Sequence, residues 1–187
     1  SALDLAHHAL SGGPSPWLAA PEAQRRFFQL FASPGIGRTL DMMHRVGLLE
    51  QILPEFASAK GLMQFNQYHK YTVDVHSIRA VQAACDLAGG AGRLAGAYRG
   101  IQRKDILHLA LLLHDIGKGK GGDHSLIGED IAARVADRLA LDPHERHLLT
   151  FLVRHHLLMS HIAFRRDLSD EKVLVRFARQ VGQPDLL

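Results

Sequence analysis

Apolar residues recur along this chain at three- and four-residue intervals, and strict alternation is absent. That is the signature of helices with one buried side. Pro21 opens the first clear helix, with Phe27, Phe28, Leu30 and Phe31 on its apolar side, and Pro34-Gly35 breaks it. "IGRTLDMMHRVGLLEQILPEF" predicts a short amphipathic helix, a stop at Gly47, and a further turn ending before Pro54. The polar and aromatic stretch "ASAKGLMQFNQYHKY" predicts a long loop. Thr72 or Asp74 then caps a helix that runs to the glycines at 89–92, with His76, Ala80, Ala83 and Leu87 on one stripe.

"RKDILHLALLLHDIG" predicts a strongly apolar helix with Leu107, Ala110, Leu111 and His114 on its buried stripe and Gly117 as its stop. The next helix begins at Asp123 and carries His124, Gly128, Ile131 and Val135 on one face. Asp142-Pro143-His144-Glu145 reads as an N-cap, a first-turn proline and a capping-box glutamate, followed by Leu148, Leu152 and His155 on the inward side. A last helix runs from Ser169 or Asp170 to Gly182. Residues 1–20, with Gly12, Gly13, Pro14 and Pro16, predict a loose arm with a short helix before Ser11. The fold class is therefore all-α, a bundle with a short N-terminal helical extension; residues 1–55 form the arm and extension, and 56–187 the main domain.

Composition narrows the class. The chain has 187 residues, with 47% hydrophobic and only 6% aromatic, so the core must rest on Leu, Ala, Val and Ile, a mix that favours helices. A net charge of +3 without a dense Lys/Arg block fits phosphorylated ligands rather than a nucleic-acid polymer. The apolar run Ile106 to Leu113 is too short to span a bilayer, and no membrane association is expected. The single cysteine, Cys85, forbids an internal disulfide and points to a reducing, cytoplasmic setting.

Thirteen histidines are the unusual feature. Four of them, His76, His114, His124 and His155, face inward on this reading, each on a different helix and near its end. Asp115 follows His114, and His156 follows His155. Burying so many imidazoles without partners is costly, and a shared divalent metal satisfies them together. A mixed nitrogen and carboxylate shell suits Mn, Fe, Co, Ni or Zn. Adjacent helical residues point about 100° apart, so a His-Asp or His-His pair at a helix end reaches two neighbouring ions, or an ion and a substrate. Lys118, in the loop after Asp115, brings an ammonium to an anion held there, and phosphate is the obvious one. Gly119, Gly121 and Gly122 let the chain turn sharply and return His124 to the same cleft. His108 reads as structural, His144 and His147 as exposed, and His7, His8, His44 and His161 as lacking a partner pattern. Arg79, Arg154 and the loop at Tyr68-His69-Lys70 are candidate nucleotide or protein contacts, though solvated surface positions are the simpler reading.

"LLLHDIGKGKGGDHSLIGED", with a distant upstream histidine and a downstream His-His, resembles the HD superfamily of metal-dependent phosphohydrolases. That resemblance implies that Asp115 bridges two ions, with His76 and His114 serving one and His124, His155 and His156 the other. "GLMQFNQYHKYTVDVHSIRAV" and "VRHHLLMSHIAFRRDLSDEKVLVRFA" are similar to the HD region of the bifunctional PII uridylyltransferase/uridylyl-removing family. The resemblance runs from about residue 20 to the end. It implies catalytic roles for Asp115 and Lys118, a divalent cofactor (Mn, Mg, Fe, Co or Zn), and hydrolysis that releases UMP from uridylylated PII protein. The family's nucleotidyltransferase motif and sensing repeats are not found here, so the chain is expected to be a middle domain. The family's last metal-binding aspartate falls after "VGQPDLL", and Asp167 and Asp170 are poor substitutes, so one ion is expected to lose a ligand. Other HD substrates (a free nucleotide, a cyclic dinucleotide or an alarmone) and a non-catalytic nucleotide-binding or coupling role are the alternatives.

Overall fold

A computed structural model describes residues 16–63, 70–165 and 171–182. The expected helix before Ser11, His7 and His8, most of the loop at Tyr68-His69, and Asp167 and Asp170 lie outside the described residues. Among those described there are ten α-helices and no strand: α1 (Pro21–Gln29), α2 (Ile36–Arg45), α3 (Leu48–Ile52), α4 (Val73–Asp86), α5 (Arg93–Gly100), α6 (Lys104–Leu113), α7 (His124–Arg138), α8 (Pro143–Arg154), α9 (Leu158–Arg165) and α10 (Glu171–Val181). None is long and apolar enough to cross a membrane.

The apolar helix α6 is the hub. Ile106, His108, Leu109, Ala110, Leu112 and Leu113 are all buried, so it is apolar nearly all round. It packs between α4 and α8 and against the short 3₁₀ turn Leu30–Ala32, while α7 lies along α8 and α2 crosses α4. Each fully buried Leu or Ile here contributes roughly 1.5–3 kcal/mol of apolar burial. One continuous core runs from Leu18, Phe27 and Phe31 through Leu109 and Leu113 to Leu149 and Val153.

Local signals set the ends of several helices. Asp142 accepts from the Glu145 amide at 2.8 Å, and Glu145 accepts from the Asp142 amide at 2.8 Å, the expected capping box. The second Glu145 oxygen receives Arg103 at 2.6 Å, and Arg103 also grips Asp105, tying the start of α6 to that of α8. Asp123 caps α7 by accepting from the Ser125 amide.

Several expectations need correction. The α4 stripe named above, with His76, Ala80, Ala83 and Leu87, is the half-exposed side; the buried one carries Val73, Ser77, Ile78, Val81, Ala84 and Cys85. Likewise Leu107, Leu111 and His114 form the less buried edge of α6. Leu30 is exposed because α1 gives way to a 3₁₀ turn there. Two helices, α5 and α9, lie outside the elements the sequence predicts. Glycines flank and interrupt "GRLAGAYRG", which weakens its helical signal, and α9 follows the His-His pair after a single turn. The loop from Ala57 begins inside a 3₁₀ turn, Pro54–Ala59. Gly117 does not stop a helix by left-handed backbone. A Cβ there would meet the His124 carbonyl oxygen at 2.1 Å, so Gly117 exists to let the His-Asp turn touch the start of α7.

A candidate metal centre at the ends of four helices

His114 sits at the C-terminal cap of α6. Its Nδ1 lies 2.7 Å from the Leu111 carbonyl oxygen, one of the acceptors left over at a helix end. His156, just past α8, does the same with the Val153 carbonyl at 2.7 Å. A carbonyl only accepts, so Nδ1 carries the proton in both rings, and Nε2 presents a lone pair when the ring is neutral. Both Nε2 atoms point at Asp115.

Asp115 is 3% exposed. Its Oδ2 lies 3.2 Å from His114 Nε2, 3.8 Å from His76 Nε2 and 2.6 Å from Lys118 Nζ; its Oδ1 lies 3.6 Å from His156 Nε2. Burial works to raise its pKa, but the facing His114 and the Lys118 ammonium outweigh it and hold the carboxyl well below the usual range. Burial lowers the pKa of His156, which disfavours the charged form of that ring. The rings form a chain: His76 to His114 at 5.1 Å, His114 to His156 at 5.3 Å, and His156 to His124 at 5.3 Å between centroids.

The ligand atoms fall into two trios, His76–His114–Asp115 and Asp115–His124–His156, each within 4.8 Å. Asp115 belongs to both. The Nε2 atoms of His124 and His156 are buried without a hydrogen-bond partner. Acceptor facing acceptor in a buried site is unfavourable, and a cation between them removes the conflict. The nitrogen and carboxylate donors suit a divalent transition ion, with the Nδ1–carbonyl bonds holding the rings from behind.

The glycine loop does what its sequence implied. Gly119, Gly121 and Gly122 have φ of 76°, 76° and 83°, and the chain reverses to set His124 beside His156. Lys118 meets Asp115 directly. His155 does not join either trio. Its ring lies against Phe151, 4.6 Å between centroids, because it points one helical step away from His156. His108 is structural, as its position in the apolar run implied: Nδ1 meets the Phe31 carbonyl at 2.7 Å and Nε2 the Tyr98 hydroxyl at 2.9 Å. His144, His147 and His161 are exposed. Arg154 lies 3.5 Å from both Asp123 and Glu129.

Two supporting residues escaped the sequence. His44, which has no partner pattern in the sequence, bonds Glu50 through Nδ1 and lies 3.4 Å from Asp74 through Nε2. Asp74 is buried and accepts from the amides of Gly61 and Val75 at 2.9 and 2.8 Å, so it ties α2, the loop at Gly61 and the start of α4 together two residues ahead of His76. The bond with Glu50 holds the His44 imidazole above its usual pKa. The only hint was the glycine at 47, which folds α3 back so that residues six apart meet.

Comparison with known proteins gives the chain a family. Residues 73–181 match the HD domain. The chain is 38% identical over 178 residues to the bifunctional uridylyltransferase/uridylyl-removing enzyme of Gluconobacter oxydans (strain 621H), a match covering 89% of this chain and 19% of the relative. It is 40% identical over 173 residues to the enzyme of the same name from Vibrio vulnificus (strain YJ016), covering 89% and 20%. With that from Rhodospirillum rubrum it shares 43% over 153 residues, covering 79% and 16%. The chain thus spans about a fifth of the length of the curated relatives it matches.

Proposed function

This chain belongs to the HD-domain family, and from that premise we propose that it is a metal-dependent phosphodiesterase that removes UMP from a uridylylated tyrosine of the PII regulatory protein. One observation carries the reading: the two oxygens of a single buried carboxylate, Asp115, face two separate sets of imidazole nitrogens. In this reading His76, His114 and Asp115 would hold one divalent ion, and Asp115, His124 and His156 a second; Mn, Mg, Fe, Co and Zn are the candidates. Such ions polarise phosphoryl oxygens and lower the pKa of water toward neutrality.

The chain's own groups do the rest. The Lys118 ammonium keeps the Asp115 carboxyl charged against its burial. The Leu111 and Val153 carbonyls fix two rings so that their lone pairs turn inward. The Lys118 ammonium, 2.6 Å from Asp115 Oδ2, lies where it can also neutralise a phosphoryl oxygen drawn to the first trio. A tyrosine leaving as phenolate has a pKa near 10, so departure needs little help from a general acid. His155, against Phe151, is outside this set. We place the activity in the cytoplasm, consistent with a buried, free Cys85.

The experiment is a substrate panel with added Mn²⁺: uridylylated PII beside free nucleotides, a cyclic dinucleotide and an alarmone. UMP release from PII, lost in Asp115→Ala, is the expected result. Hydrolysis confined to a free nucleotide would replace the substrate, and UMP release that survives in Asp115→Ala would remove the mechanism.

A further inference from the structure

The half-exposed stripe of α4 has a use that the metal trios do not explain. From His76 it continues along Arg79, Ala80, Ala83 and Asp86, about 15 Å of helix, and forms one wall of a groove of about 610 Å³. The other wall is α2, through Gly37, Arg38, Asp41 and Arg45. The helices cross closely at the floor: a Cβ on Gly37 would meet Gln82 Cα at 2.7 Å. Ala80 and Ala83 are small, which keeps the groove open. One end of it is His76, a corner of the first trio.

The groove's charges do not cancel internally. Asp41 accepts from Arg45 at 2.8 Å, and Asp86 accepts from the Gln82 amide at 2.8 Å. Arg38 and Arg79 are exposed, and neither has a carboxylate partner among the described residues. Arg79 instead stacks over the Tyr71 ring, 4.4 Å from its centroid, and Tyr71 is 40% exposed. A guanidinium laid on an aromatic ring is a flat platform with donors at its edge. It matches a planar ring bearing carbonyl acceptors.

We infer that this groove seats the nucleoside part of the phosphoester, with a carbonyl-bearing pyrimidine against the Tyr71–Arg79 pair and the phosphate end at His76. The volume is that of a small-ligand site, whereas a protein segment needs a broad face of several hundred Å² per partner. Arg38, across the groove, meets the acceptor edge of the base or the ribose phosphate with donors only, so no group of the ligand needs to be charged except the phosphate. The inference leans on the hydrolytic reading for the direction of the ligand and not for its existence.

Equilibrium titration of the chain with UMP, uridine and ribose 5-phosphate tests it, with Mg²⁺ present and catalysis not required. UMP is expected to bind more tightly than ribose 5-phosphate. Arg79→Ala and Tyr71→Ala should each weaken UMP roughly tenfold, the usual worth of a lost stacking partner, leave ribose 5-phosphate affinity unchanged, and Tyr71→Phe should restore the wild-type value. Ribose 5-phosphate binding as tightly as UMP, or UMP affinity indifferent to both alanine variants, overturns the groove. UMP and uridine affinity that still depends on Arg79 in a chain unable to hydrolyse any phosphoester would support the groove while removing the hydrolytic reading.

Discussion

His108 and His114 stand six residues apart on the same stretch of chain, and each gives its Nδ1 proton to a backbone carbonyl. They differ in what meets the other nitrogen. His108 Nε2 finds the Tyr98 hydroxyl at 2.9 Å, with Cys85 Sγ at 3.8 Å, and nothing remains to be satisfied. His114 Nε2 finds a carboxylate oxygen that two other groups, His76 Nε2 and Lys118 Nζ, also approach. A buried histidine whose second nitrogen meets a hydroxyl belongs to the core. One whose second nitrogen meets a shared carboxylate, beside imidazoles that are themselves unsatisfied, belongs to a group that could hold a cation.

The comparison breaks most visibly at Asp115. Changing a supporting group behind a metal ligand costs about 10–100-fold in affinity, so Asp115→Ala, which removes a ligand from both trios, should cost more than about a hundredfold. Calorimetric titration with Mn²⁺ measures this, and Mn²⁺ should raise the melting temperature of the native chain but not of the variant. If the variant keeps both ions, Asp115 is not the bridge.

His108→Ala should act on the other side of the divide. It leaves the Tyr98 hydroxyl and the Phe31 carbonyl unpaired around a cavity, at a cost of about 2–4 kcal/mol in urea unfolding. Mn²⁺ affinity of the folded fraction should be unchanged; a large drop would mean the core histidine and the metal trios are not independent.

The adjacent pair sharpens the contrast. His156→Ala should weaken one of the two ions by at least tenfold, while His155→Ala, whose ring lies against Phe151 and in neither trio, should change Mn²⁺ affinity by less than about twofold and stability by ~0.5 kcal/mol. Equal losses from both would return His155 to the second trio.

The smallest effect is a pH slope. Burial lowers the pKa of His108 from 6.5, so the unfolded chain takes up its proton first as the solution is acidified. The stability this ring contributes is present above pH 6.5 and declines as the pH falls toward its lowered folded value. His108→Gln should flatten unfolding free energy over that interval, and an unchanged slope would assign the acid sensitivity to other groups.

Some of this was legible in the letters because it is local. The Asp142–Glu145 capping box, the reversal at Gly119, Gly121 and Gly122, and the His-Asp pair at a helix end all depend on neighbours within a few residues. The all-α class followed in the same way, from apolar spacing along each helix. The two unexpected helices show where that signal fails: α5 is broken by glycines, and α9 is an eight-residue segment whose exposed side holds Met159 and Phe164. The buried stripes of α4 and α6 lie a step away from those their apolar spacing predicts, for a related reason. Periodicity says that a helix has an apolar side, but small alanines and a cleft histidine fit the edge of a groove as well as a core.

The sequence by itself determined most of the helices, the Asp123 and Asp142 caps, the sharp return of the chain to His124 and the supply of imidazoles near helix ends. Tertiary structure alone decided that His156 rather than His155 turns toward Asp115, that Gly117 is a contact point with α7, that His44 reaches Asp74, and that the half-exposed side of α4 walls a groove. The reason is physical. Intervals along the chain fix the angle of a side chain about its own helix axis, whereas the meeting of side chains from different helices depends on how those axes cross, and the crossings are set by packing around α6.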